Sequence, residues 1–180
     1  MPAHNLIHGG DVYTAMENGL ERPLDFSANT NPFGTPPGVM DAVSRALPDM
    51  HRYPDPYCRR LVEKIAAFEG VNRDDILCGN GAAELIYAYC GAVRPKTALE
   101  PAPTFSEYAL GLAQVGCRVK PYYLTPDRDF ALDSHFPDYL TEILPEAVFL
   151  CNPNNPTGML IHPAVLKDIL DVCRENRIRL

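Results

Sequence analysis

The amino-acid sequence predicts an α/β fold: a doubly wound, mainly parallel sheet preceded by an irregular N-terminal arm. Three observations carry that prediction. From residue 76 onward, short apolar runs alternate with stretches of helical spacing, and strands alternating with helices build βαβ units around a parallel sheet. The 18 Pro cluster before residue 57 and at loop positions; they are about twice the usual share of about 5%, which marks an irregular arm. The chain has 180 residues, 46% of them hydrophobic. A domain of that length buries roughly 70% of the surface its unfolded chain exposes, enough for a two-sided core.

Residues 1–36 read as the arm, with one short helix over 12–18 stopped by Gly19. Over 37–47, Val39, Ala42, Val43, Ala46 and Leu47 recur at helical spacing. A further helix fits 57–69, where Tyr57, Leu61, Ile65 and Phe68 form one stripe and Gly70 is the stop. Strands are expected over 76–78, 98–100, 117–124 and 147–151, and helices over 82–93, 104–115, 136–144 and 163–175. Thr104 and Glu107 have the spacing of a capping box, with Gly116 as the stop of that helix. Arg177-Ile178-Arg179-Leu180 opens another strand. Strands of parallel sheets are buried on both faces and lead into a further loop, so the chain reads as the first part of a longer protein.

Composition excludes several classes. A net charge of -7 argues against nucleic acid as the main partner. No apolar run approaches the ~18 residues of a membrane span, and the start lacks a basic stretch followed by an apolar one, so it is not a secretory signal. None of the six Cys forms a CxxC pair and most lie in apolar segments. That pattern reads as buried reduced thiols in the cytoplasm, not as a disulfide framework or a metal site.

In open α/β sheets, ligands bind beyond the carboxyl ends of the strands. Three loops leave such ends. Gly79-Asn80-Gly81-Ala82-Ala83-Glu84 opens a helix; small residues allow close backbone approach, and a helix N-terminus suits a phosphate. A nicotinamide site is the rival reading, since Glu100 follows about 20 residues later, but Glu84 stands where that fingerprint needs Gly or Ala. The loop after the next strand places Phe105 at the mouth of the sheet, where an aromatic can stack on a planar ring. The third loop is Asn152-Pro153-Asn154-Asn155-Pro156-Thr157-Gly158. Asn152 and Asn155 precede Pro and have restricted backbones, so an amide there is a well-aimed, uncharged hydrogen-bond donor.

These residues carry a resemblance. The loop 152–158 matches the NPNNPTG loop of fold-type-I pyridoxal-phosphate enzymes of the class I/II aminotransferase family. The phosphate loop 79–84, Pro103-Thr104-Phe105 and Arg52-Tyr53-Pro54 fall in the order that family shows. The resemblance runs through the whole chain. Within the family, His8-Gly9-Gly10 and Leu24-Asp25-Phe26-Ser27-Ala28-Asn29-Thr30-Asn31-Pro32 look like segments of the threonine-phosphate decarboxylases of cobalamin synthesis; histidinol-phosphate aminotransferases are the neighbouring branch.

The resemblance implies the N-terminal half of the large domain of such an enzyme, with residues 1–45 as the arm and a small-domain segment and 46–180 as the first half of the cofactor-binding domain. It implies pyridoxal 5′-phosphate as the cofactor and a small phosphorylated amino acid as the substrate. Gly81, Ala82 and Ala83 would offer backbone N–H groups to the cofactor phosphate, Phe105 would stack on the pyridine ring, and Asn155 would hydrogen-bond the ring's 3′-oxygen. Tyr53 would reach the cofactor phosphate of a partner subunit in a homodimer, and His8 and Asn29 would help hold the substrate phosphate. The Schiff-base Lys would lie beyond Leu180, because Lys64, Lys96, Lys120 and Lys167 all lack a site-like context. The expected reaction of the whole enzyme is decarboxylation of L-threonine O-3-phosphate. The alternatives are transamination of histidinol phosphate, a nicotinamide-binding module, and a truncated, non-catalytic binding domain.

Overall fold

The computed structural model describes residues 9–180. The chain divides into two compact units, Met1–Cys78 and Gly79–Leu180. In the first, helix α1 (Val12–Glu17) is capped by Asp11, whose carboxylate accepts from Thr14 N at 3.1 Å and Thr14 Oγ1 at 2.6 Å. Helix α2 (Pro37–Ala46) starts on a Pro, whose missing N–H costs nothing in a first turn. Helix α3 (Arg59–Glu69) begins two residues later than the apolar stripe predicts. The cause is Asp55: its carboxylate accepts from Tyr57 N at 3.1 Å and Arg59 N at 2.9 Å, holding 55–58 in a turn. Gly70 ends α3 at φ 67°, the left-handed conformation that glycine adopts without strain. Val62 is buried and Ile65 and Ala66 are half-buried, whereas the apolar side chains of α2 and Leu61, Ala67 and Phe68 of α3 are exposed.

The expected strand over 76–78 is not formed. Its backbone is extended at Ile76, but extended backbone without a ladder partner is not a strand.

The second unit carries the sheet. Helix α4 (Gly81–Val93) leads to β1 (Thr97–Ala102), α5 (Glu107–Gln114), β2 (Arg118–Tyr123), α6 (Phe136–Ile143), β3 (Ala147–Val148) and α7 (Pro163–Asn176). The strand order is β2-β1-β3, and both pairings are parallel. Arg179 adds a parallel bridge to Ala147 on the far side of β3, as expected for a strand opening at 177. Strand β3 is shorter than the apolar run 147–151, because the ladder ends once Phe149 N has bonded Leu99 O at 3.0 Å. The capping box is also corrected: α5 starts after Ser106, and the Thr104 hydroxyl is engaged elsewhere, as described below.

Both faces of the sheet are covered. Leu99 and Val148 pack with Phe136, Leu140, Ile169 and Ile178 from the α6 and α7 side. Ala98 and Ala147 point the other way, against Cys90 and Leu112 of α4 and α5. Phe136, Leu140 and Ile169 are fully buried, each contributing roughly 1.5–3 kcal/mol relative to exposure. This two-sided burial is the doubly wound arrangement expected from the sequence. All six Cys are free. Among the described residues, no helix is long and apolar enough to cross a membrane, and no cluster of His, Cys, Asp or Glu is arranged to hold a metal ion.

Candidate active site

The chain runs from β1 outward to β2, then returns across β1 to β3. The carboxyl ends of β1 and β3 therefore flank the point where strand order reverses, the usual ligand crevice of such sheets. The loops leaving those two ends are tied together by Asn154. This buried side chain donates to Pro103 O at 3.0 Å and to Thr157 Oγ1 at 2.9 Å, and accepts from Thr104 Oγ1 at 2.8 Å. Its backbone N–H reaches Met159 O at 2.8 Å, and its carbonyl accepts from Gly158 N at 2.6 Å. Asn152 Oδ1 closes the loop by accepting from Ile161 N at 2.9 Å. Two of the three Asn are thus structural. Asn155 has a backbone bond to Cys151 Sγ at 3.4 Å, but its carboxamide has no hydrogen bond among the described residues.

Sequence reasoning missed Asn154, because only the residues before Pro have a backbone reason to be singled out. The legible signal was the pairing of Asn154 with Thr157 three positions on, a spacing that closes a turn through side chains.

The phosphate loop lies at the same end of the sheet. Tyr87 of α4 hydrogen-bonds the carboxylate of Glu107 at the start of α5, while Ile86 and Cys90 flank Gly111 further along α5. Helix α4 ends at Val93, just before β1 opens, with Cys90 packed on Ala98, and α5 follows the end of β1, so the two helices run parallel and both begin toward the carboxyl end of β1. Helix α4 starts six residues before Tyr87, which carries its N-terminus roughly 9 Å further out. There Ala82 and Ala83 occupy the first turn, where N–H groups have no partner within the helix. The Gly81 N–H is engaged by Gly79 O at 3.0 Å, which leaves Ala82 and Ala83 as the donors of the expected three.

Phe105 stands in the β1–α5 loop, edge-on to Tyr108 at a centroid distance of 5.6 Å. Tyr108 also packs on Phe149 at 5.2 Å. Burial, a hydrogen bond with the Cys151 thiol and the charges of Cys151 and Glu100 push the Tyr108 hydroxyl up to about 12. Glu100, central in β1, is 9% exposed, and its Oε2 has no hydrogen-bond partner among the described residues. Burial pushes this carboxyl from 4.5 to about 7.

The structure brings Ala82, Ala83, Phe105 and Asn155 into one unit at one end of one sheet. Tyr53 and Asn29 belong to the other unit, and both are exposed. His8 lies outside the described residues, but Gly9 and Gly10 do not. A Cβ on Gly9 would fall 1.8 Å from Ser27 O, and Gly10 N donates to Ser27 Oγ at 2.8 Å. The two arm segments noted in the sequence therefore pack on each other. Of the Lys side chains, Lys167 pairs with Asp171 at 2.5 Å, and Lys120, inside β2, lies over the Tyr139 ring at 5.1 Å.

A strand-order reversal, a helix N-terminus and a carboxamide without a hydrogen bond among the described residues lie at this end of the sheet. Residues 21–180 match the family model described as aminotransferase class I and II. The threonine-phosphate decarboxylase of Salmonella typhimurium is 36% identical, covering 100% of this chain and 50% of that protein. The histidinol-phosphate aminotransferase of Halalkalibacterium halodurans is 34% identical, over 86% of this chain and 42% of that protein. The solved histidinol-phosphate aminotransferase of Clostridium acetobutylicum superimposes with a TM-score of 0.73 at 26% identity, over 85% of this chain and 44% of that one. The chain belongs to the class I and II aminotransferase family, whose cofactor is pyridoxal 5′-phosphate and whose fold is that of fold-type-I enzymes. It spans about half the length of the relatives it matches.

Proposed function

We propose that the whole protein decarboxylates L-threonine O-3-phosphate in a reaction dependent on pyridoxal 5′-phosphate. The observation that carries this reading over the aminotransferase one lies in the arm. Gly9 and Gly10 pack directly on Ser27, joining the two segments in which the chain looks like the decarboxylases. The similarity to the Salmonella decarboxylase, which covers the whole chain including the arm, supports the same reading.

The residues fit the cofactor. The Ala82 and Ala83 N–H groups, with the positive end of α4 behind them, receive its phosphate. The Asn155 carboxamide would donate to the ring's 3′-oxygen without bringing a charge, and Phe105 would stack on the ring face. When bound, the cofactor supplies an electron sink for the pair left on Cα. The chain's own contribution is orientation. Asn154 fixes the spacing between the Phe105 and Asn155 loops, and His8 and Asn29 would hold the substrate phosphate and so set which bond at Cα is broken. Tyr53 reaches the cofactor phosphate of the partner subunit in a homodimer.

The deciding experiment assays the whole enzyme on threonine phosphate and on histidinol phosphate with an amino acceptor. Release of CO2 from threonine phosphate is expected. Brisk amino transfer from histidinol phosphate with no CO2 release would assign the aminotransferase reaction instead. The 180-residue chain by itself is expected to show no absorbance band from a Lys-linked cofactor, because none of its four Lys serves the site.

A further inference from the structure

Glu84 is the residue that spoiled the nicotinamide fingerprint, and the functional reading gives it no role. An acid one turn into a phosphate-binding helix looks like a liability. The geometry gives it a use. The Glu84 carboxylate folds back over the first turn of α4, and Oε2 accepts the N–H of Asn80 at the tip of the loop. Asn80, the N-cap residue, makes no side-chain cap of its own; Glu84 instead engages the backbone N–H of Asn80 from four residues downstream, and the Ala82 and Ala83 N–H groups receive no such cap among the described residues. The same carboxylate explains Gly79. A Cβ there would lie 2.9 Å from Glu84 Oε2 and 2.8 Å from Leu85 Cδ2, so a side chain at 79 would force the Glu84 carboxylate or the Leu85 side chain to shift. The small residues of the loop therefore serve two ends: close approach by a ligand at 82 and 83, and room for Glu84 beside 79.

We propose that Glu84 is a positioning residue of the anion cradle: its carboxylate fixes the loop at Asn80 so that the Ala82 and Ala83 N–H groups converge on a phosphate. The proposal rests on the cofactor reading given above. Once the Asn80 N–H is engaged by the protein, the cradle offers a short, oriented set of donors in place of a mobile loop. The acid also sits at the positive end of the helix, where its charge is favourable.

The test compares Glu84→Ala, which removes the acceptor, with Glu84→Gln, which keeps an acceptor oxygen and removes the charge. Two measurements are made on the 180-residue chain: amide hydrogen exchange at Asn80, and affinity by NMR titration for pyridoxal 5′-phosphate and for pyridoxal, which lacks the phosphate. Slow exchange at Asn80 is expected in the parent chain and in Glu84→Gln, and fast exchange in Glu84→Ala and Gly79→Ala. Glu84→Ala should weaken the phosphorylated ligand about fivefold, the size of one lost hydrogen bond, and leave pyridoxal unchanged. Glu84→Gln should stay within about twofold of the parent for both ligands. Fast exchange at Asn80 in the parent chain would overturn the proposal without touching the cofactor reading. Equal losses for both ligands, or tighter binding of the phosphorylated one in both variants, would also overturn it. Failure of the parent chain to bind either ligand would remove the cofactor reading, and the proposal with it.

Discussion

At the scale of single residues, the loop 152–158 separates jobs that look alike in the sequence. Asn154 is buried and makes three side-chain hydrogen bonds, whereas the Asn155 carboxamide makes none among the described residues. Asn154→Ala strands the Pro103 carbonyl and two hydroxyls, and should cost ~3 kcal/mol in chemical denaturation. Asn155→Ala should leave stability within about 0.5 kcal/mol and act on cofactor affinity alone. Equal destabilisation by the two variants would show that the roles are not divided. Glu100 supplies a second residue-scale prediction. Its carboxyl titrates at about 7 in the folded chain against an ordinary value of 4.5. A raised acid favours the protonated folded state. The contribution of Glu100 to stability is therefore full below pH 4.5 and is lost, by up to ~3 kcal/mol, as pH rises through about 7. Glu100→Gln should flatten that part of the stability-versus-pH curve, and an unchanged slope would contradict the assignment.

At the scale of elements, the packing of α4 against α5 sets where the phosphate loop stands. Gly111 is buried at their crossing, and a Cβ there would lie 3.3 Å from both Cys90 Sγ and Ile86 Cγ2. Gly111→Val should overpack the contact and cost ~2 kcal/mol, read from the shift of the urea midpoint. Destabilisation below about 0.5 kcal/mol would mean the helices can part. Elements that pack on the sheet were legible in advance, because periodicity reports burial. The helices over 82–93 and 163–175 were read to within a residue at each end, and the β1 and β2 runs to within two. Elements decided by side-chain hydrogen bonds were not. Asp55 delays α3, Asn154 takes the Thr104 hydroxyl from its expected cap, and the 76–78 run finds no ladder partner. Nothing in periodicity encodes those contacts, since each depends on a second residue or strand.

At the scale of the whole molecule, the candidate site was legible where it rests on local chemistry: a glycine-rich helix start, an aromatic after a strand, and a rigid Asn loop. The topology adds what local chemistry cannot, namely that α4, β1 and β3 deliver these to one end of one sheet. The central claim is that the N-terminus of α4 and the Asn155 carboxamide act on a single ligand. The most direct measurement is a two-dimensional amide NMR titration of the chain with pyridoxal 5′-phosphate. The account predicts that the backbone resonances of Ala82 and Ala83 and the side-chain resonance of Asn155 shift together with one dissociation constant. Shifts at α4 with none at Asn155, or with a different constant, would contradict it.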